Sequence, residues 1–361
     1  MRTFDFGLFL PIANNGMIAS TAHQYMPTFS LNKAIALAAE ELDYDFIFSM
    51  TKWRGYGGTT QHWDYAKESF SLMSGLAAIT DRIRLVASVA LPTLHPAVAA
   101  RIATTLDDIS NGRLIINIVT GWNKLEYSQM GLWRGDDYYG YRYDYAAEYV
   151  EVLRRLWDEG RVTFDGRFFQ LEDCVSLPKP SHPIPLISAG QSEKGMRFAA
   201  KWADYNFVVG DVKAAGQFAA RTAAYAAEVG RPVATYVLLA VVAEETDAKA
   251  EAVADRLAES VDLEAVEKWR ALAAADTSGT VSTTHKADVF MGTTHVIGSY
   301  ERVAAYLDEL SQVGIRGAAI FFPDWERDVR KFGENVIPLV RARLDAPRTA
   351  SFQAMSKSAT N

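Results

Sequence analysis

Leu114-Ile115-Ile116-Asn117-Ile118-Val119-Thr120-Gly121-Trp122 is an apolar, strand-like run that carries a single amide and breaks at a glycine. Glu126 follows, and Arg142-Tyr143-Asp144-Tyr145 opens a helix whose apolar residues Tyr145, Tyr149, Val152, Leu153 and Leu156 recur at the three-and-four spacing of one buried face. A short run with no polar alternation, followed by an amphipathic helix, is the repeating unit of a parallel sheet covered by helices.

The unit recurs along the chain. Phe4–Leu10, Phe46–Met50, Ile83–Leu91, Leu114–Val119, Ile184–Ala189, Asn206–Val209, Tyr236–Ala243 and Ala318–Phe322 read as strands, with helical stretches such as Leu31–Leu42, Phe70–Ile79 and Ala97–Ile109 between them. Eight such units predict an α/β fold, a closed (β/α)8 TIM barrel with insertions. An open doubly wound sheet usually needs fewer repeats. No Pro/Gly/Ser-rich linker interrupts the interior, so residues 1–346 are expected to form one barrel domain. Two insertions are expected. Residues 161–177 contain Asp165-Gly166, a hairpin turn signal. Residues 262–291 are polar and weakly periodic, and are expected to form a mobile excursion or lid. The tail 347–361 is expected to be disordered.

Composition narrows the function classes. The 361 residues are 49% hydrophobic, enough for a large core, and the net charge of −7 argues against nucleic-acid or anionic-membrane partners. No apolar run reaches the ~18 residues of a membrane span, and the N-terminus lacks a signal-peptide core, so a cytoplasmic protein is expected. Cys174 is the only cysteine, and the six histidines are scattered without metal-ligand spacing, so no metal is expected. No phosphate-binding P-loop, G-x-G-x-x-G fingerprint, H-E-x-x-H or nucleophile elbow is present. Any redox chemistry therefore comes from a cofactor held in another way.

A barrel of this kind places its active site at the carboxyl ends of the strands. The residues there are Ser49-Met50-Thr51-Lys52, Ser88, Asn117, Thr120, Trp122 and Gly190-Gln191-Ser192. An amide among isoleucines and valines is costly unless paired. A cation in the first turn of a helix, where Arg142 is placed by this reading, makes sense if it meets an anion. Ser192 reads equally as a helix N-cap or as part of a phosphate cradle, and Glu126 alone is an ordinary loop carboxylate. Together these groups suit an anionic, planar, nitrogen-rich ligand, for which a flavin phosphate is the candidate.

Further stretches carry a resemblance. Asn14-Asn15-Gly16, Gln24-Tyr25-Met26-Pro27-Thr28-Phe29, Leu31-Asn32-Lys33-Ala34-Ile35, Ser49-Met50, Val119-Thr120-Gly121-Trp122, Gln129-Met130-Gly131, Gly135-Asp136-Asp137-Tyr138, Arg142-Tyr143-Asp144-Tyr145, Gly190-Gln191-Ser192 and Met291-Gly292-Thr293 span nearly the whole barrel. The chain resembles the bacterial-luciferase-like, flavin-dependent monooxygenases, and within them the subgroup that opens pyrimidine rings. The resemblance implies a two-component enzyme that takes reduced FMN from an NADH-dependent flavin reductase and uses O2 as co-substrate. It implies cleavage of the ring amide of uracil or thymine through a flavin peroxide.

The resemblance also implies roles for particular residues. Thr51, Lys52, Asn117, Glu126, Arg142, Tyr143 and Ser192 would bind the cofactor, with Arg142, Tyr143 and Ser192 at its phosphate. Asn117, Ser88, Met50 and Trp122 would border the catalytic pocket. Family members are commonly homodimers or homotetramers. The chain departs from the subgroup at Ser88, Phe48 and Met17, where threonine, leucine and tryptophan are expected. Such changes reshape a pocket enough to alter substrate choice. The same chemistry on a chlorinated aromatic or a sulfone, and a deazaflavin-dependent oxidoreductase on the same barrel, are the alternatives. A barrel glycosidase would need a carboxylate pair about 5–5.5 Å apart, which nothing in the sequence enforces.

Overall fold

The computed structural model describes residues 4–22, 24–273 and 288–344. Eight parallel strands close a barrel in the order β1 (Asp5–Phe9), β2 (Phe46–Ser49), β3 (Arg84–Ala90), β4 (Leu114–Val119), β7 (Leu186–Ser188), β8 (Tyr205–Val208), β9 (Ala234–Glu244) and β11 (Ile315–Phe321), with β11 returning to β1. The predicted (β/α)8 fold is therefore the observed one. Helices include α1 (Phe29–Glu41), α2 (Ser69–Ala77), α3 (Pro96–Ser110), the short α4 (Lys124–Ser128), α5 (Tyr138–Glu159), α6 (Glu193–Trp202) and α7 (Val212–Glu228). The hairpin expected within 161–177 forms from β5 (Arg161–Asp165) and β6 (Gln170–Val175), paired antiparallel.

Side chains fill the barrel interior. Phe48 lies 5.1 Å by ring centroids from both Phe9 and Phe207 and makes an aromatic floor beneath the carboxyl ends of the strands. Gly7 is demanded by this packing, since a Cβ there would sit 2.1 Å from the Phe46 ring. At the amino ends, Arg316 donates to Asp5 at 3.0 Å and Arg343 to Asp45 at 2.7 Å.

Three elements differ from the sequence reading. α5 starts at Tyr138, so Arg142 lies in its second turn and the first-turn argument does not apply. Tyr138 packs edge-on against Trp133 and Tyr141, and this aromatic cluster sets the helix start earlier than the apolar periodicity alone does. Part of the excursion expected at 262–291 is ordered: α9 (Leu263–Ala273) buries Ala265 and Val266, and follows α8 (Asp247–Glu259). Asp262 ties this arm to the barrel top by accepting from Thr60 N at 2.7 Å and Ala265 N at 3.2 Å. Residues 274–287 and the tail 347–361 lie outside the described residues. Finally, β10 (His295–Ser299) adds a ninth parallel strand on the upper half of β9, ahead of α10 (Tyr300–Gln312). α11 (Trp325–Asn335) and α12 (Arg341–Leu344) end the described chain.

Candidate active site at the carboxyl ends of the strands

β3 and β4 are paired so that Ser88 faces Asn117. Asn117 Nδ2 donates to Ser88 Oγ at 2.9 Å, and Ser88 Oγ donates to the Ser49 carbonyl at 2.7 Å. All three residues are buried. Asn117 Oδ1 is buried as well and has no partner. Leaving such an acceptor dry costs about 1–3 kcal/mol, which a ligand N–H would offset. Met50 and Thr51 follow directly at the end of β2 and Trp122 follows β4, all three half-buried.

Lys52 and Glu126 form a buried ion pair at 3.1 Å. Glu126 places Lys52 with one oxygen and accepts from Trp53 N at 2.8 Å with the other, so its two carboxylate oxygens are both engaged within the protein. The Lys52 ammonium also donates to Tyr56 Oη at 3.3 Å and sits 4.6 Å from the Tyr56 ring centroid and 5.3 Å from that of Trp63. Taking two charges out of water costs several kcal/mol each, and this cage offsets part of that cost. Trp63 holds φ at 65°, an unusual angle for so bulky a residue, and its indole donates to the Gly16 carbonyl. His62 stacks on Trp63 at 5.2 Å; burial holds its pKa down to about 3, so the ring is neutral.

The second cluster lies where α5 meets α6. Arg142 is buried, with its guanidinium 3.5 Å over the Tyr139 ring and 5.1 Å from that of Tyr143. Among the described residues no carboxylate forms an ion pair with it; its electrostatic neighbours are Tyr139 and Tyr143. A buried, unneutralised guanidinium fits an anion. Ser192 caps α6, accepting from Gly195 N at 3.2 Å, which leaves its hydroxyl proton free to donate. The two helices meet at Gly195, where a Cβ would stand 2.6 Å from the Tyr143 hydroxyl. The Gly190-Gln191 turn is held by Asn206 of β8, which accepts from Gly190 N at 3.1 Å and donates to Gly190 O at 3.0 Å.

The structure thus gathers the expected residues into two groups: Met50, Thr51, Lys52, Ser88, Asn117, Trp122 and Glu126 at the ends of β2–β4, and Arg142, Tyr143 and Ser192 at the α5–α6 rim. A cavity of about 320 Å³ opens beside Thr51 and Ser88, bounded also by Trp53, Phe70, Thr93 and Leu94. A wider open groove, about 730 Å³, runs along α10 and α12 and contains none of these residues. Sequence reasoning missed Tyr56 and Trp63, which cage Lys52, and Ser69, which meets Ser88; an aromatic in a loop or a serine at a helix start gives no signal of what it will touch. The residues present fit a phosphorylated, ring-N–H-bearing cofactor through Arg142, Ser192 and the unpartnered Asn117 oxygen.

The chain is 47% identical over 360 residues to pyrimidine monooxygenase RutA of Serratia proteamaculans (strain 568), covering 96% of this chain and 98% of that protein. It is 46% identical to the protein of the same name from Yersinia enterocolitica serotype O:8 / biotype 1B, over 94% of this chain and 96% of that one. The solved structure of EDTA monooxygenase (EmoA) from Chelativorans sp. BNC1 superposes with a TM-score of 0.81 at 18% identity, covering 97% of both chains, which is a likeness of fold. Residues 4–317 match the family model for luciferase-like monooxygenases, and the chain belongs to that family.

Proposed function

We propose that this enzyme is a two-component, FMN- and O2-dependent monooxygenase that cleaves the ring amide of a pyrimidine such as uracil or thymine. The observation that carries the reading is the 47% identity to a pyrimidine monooxygenase across nearly the full length of both chains. In this reading Arg142, Tyr143 and Ser192 hold the FMN phosphate, the first as a charge-assisted donor and the last as a hydroxyl at a helix N-terminus. Lys52, placed by Glu126, and Thr51 lie along the ring system, with Asn117 accepting a ring N–H. Bound reduced FMN supplies the electrons that activate dioxygen for attack on the amide carbon.

The protein's part is to bind, orient and keep water away. Ser88 and Asn117 hold the polar side of the pocket, Met50 and Trp122 border it, and the Phe9–Phe48–Phe207 floor keeps water from below. Phe48 belongs to that floor directly, while Met17 is buried in the loop after β1; with Ser88, these are the positions expected to tune which heterocycle fits. A separate NADH-dependent flavin reductase would supply the cofactor, and a cytoplasmic homodimer or homotetramer would be the working form.

The test is a coupled assay with FMN, a flavin reductase, NADH and air, offered uracil, thymine or a chlorinated aromatic. A ring-opened ureido product from uracil or thymine supports the proposal. No product from either pyrimidine, with NADH oxidised only at the reductase's own rate, refutes it.

A further inference from the structure

The first turn of α6 lies against the first two turns of α5. Ser192 caps α6, and Gly195 packs so that a Cβ there would stand 2.6 Å from the Tyr143 hydroxyl. Lys194 lies between these two, in the first turn of α6. A cation at that place meets the positive end of the helix dipole, which disfavours it unless an anion joins it. The first-turn argument, which fails for Arg142, therefore applies to Lys194.

The carboxylates nearby do not neutralise it. Glu193 turns along the helix to Arg197 at 3.1 Å, and Arg197 also holds Glu228 at 2.9 Å. Among the described residues no carboxylate forms an ion pair with Lys194. Its ammonium instead reaches across to α5 and donates to the Gly140 carbonyl at 3.4 Å. Arg142 donates to the preceding carbonyl, that of Tyr139, at 3.5 Å. Two cations, one from each helix, thus rest on consecutive carbonyls of the first turn of α5. Arg142 is buried and Lys194 is exposed. Both hydrogen bonds are at the long end of the range, and a neutral carbonyl at that distance holds a cation only loosely.

One guanidinium does not balance a phosphate monoester, which carries about −1.5 to −2 charges at pH 7. The Ser192 hydroxyl and the α6 amides add donors but no full charge. We propose that Lys194 is a second cation of the flavin phosphate site, its ammonium exchanging the Gly140 carbonyl for a phosphate oxygen. The inference rests on the flavin reading above and deepens it: Arg142 grips the phosphate from the protein side, Lys194 closes on it from the solvent side, and together they select FMN over the unphosphorylated flavin. The flexible four-carbon stem of lysine makes the exchange without moving the backbone, and no ion pair within the protein has to break.

The experiment is flavin binding, without turnover. FMN and riboflavin, which lacks the phosphate, are each titrated in oxidised and anaerobically reduced form into wild type, Lys194→Gln and Lys194→Arg. Binding is read by tryptophan fluorescence, and thermal unfolding is recorded for each variant. The expected result is FMN affinity weaker by roughly five- to tenfold in Lys194→Gln, in each oxidation state that wild type binds, and close to wild type in Lys194→Arg. Riboflavin affinity and the unfolding midpoint stay unchanged in both variants. Wild-type FMN affinity in Lys194→Gln, or an equal loss for FMN and riboflavin, overturns the inference and leaves the flavin reading in place. Failure of wild type to bind FMN in either state overturns both.

Discussion

The two ends of the barrel bury polar groups in opposite ways. At the amino ends the charges are paired internally: Arg343 donates to both Asp45 oxygens at 2.9 and 2.7 Å, Phe6 N donates to Asp45 at 2.7 Å, and Asp5 takes Arg316 and Tyr236 on one oxygen, its other oxygen being buried without a partner. At the carboxyl ends several groups lack partners: Asn117 Oδ1, both ring nitrogens of His62, and Arg142 without a carboxylate among the described residues. A network whose charges are neutralised within the protein stabilises a closed structure, whereas a guanidinium and acceptors left unpaired in a packed shell are where a ligand completes the structure. The same chain thus builds a base and a binding face from the same kinds of residue, and only their pairing tells them apart.

Substitutions should separate the ends. The largest effect is expected for Asn117→Ala: kcat/KM for the pyrimidine falls on the order of 10²–10³, measured in the coupled assay, with the unfolding midpoint nearly unchanged. Arg142→Ala should weaken FMN binding about 10²-fold, read by flavin fluorescence titration; wild-type affinity in this variant would remove the phosphate assignment. At the other end, Arg343→Ala should destabilise the fold by about 2 kcal/mol in denaturant titration while activity per folded molecule is retained. The loss is limited because burial and the neighbouring Asp5 already push Asp45 up to about 7, so an abandoned Asp45 takes a proton.

The smallest effect is in pH dependence, and it runs in opposite directions at the two ends. Burial lowers the His62 pKa to about 3, below its unfolded value near 6.5. The unfolded chain therefore binds the extra proton between those values, and stability falls as pH drops from 6.5, by up to ~2 kcal/mol at pH 5. Asp45 is raised, so its protonated form is favoured in the folded state, and its contribution is lost as pH climbs from about 4 towards 7. His62→Phe should flatten the acid-side loss in chemical denaturation, and Asp45→Asn the opposite slope. Unchanged pH profiles in both would show that the contrast between the ends has no energetic weight.

How legible the molecule is from its sequence differs by element. The strands were readable because a parallel sheet buries both faces and leaves continuous runs such as Leu114–Val119. Asn117 stood out because an amide inside such a run demands a partner. Ser192 was readable as a cap, and it is one. Periodicity alone puts the start of α5 too late, because an aromatic cluster sets it. β10 escapes the sequence reading because His295-Val296-Ile297-Gly298-Ser299 is short, and only the upper half of β9, which runs on beyond its pairing with β8, makes it a strand. Ser69 reads as an ordinary residue at a helix start; its partners are 19 and 20 positions away.

By itself, the sequence determined the kind of fold and the kinds of chemistry at the strand ends, because periodicity and the cost of burying polar atoms are local properties of a chain. Tertiary structure alone decided the pairings. Glu126 serves Lys52, the Ser69 hydroxyl accepts from Ser88 N, and Asn117 is left with an oxygen and no donor, because hydrogen-bond partners are chosen by which backbones the closed barrel brings within 3 Å, and no spacing along the chain encodes that distance.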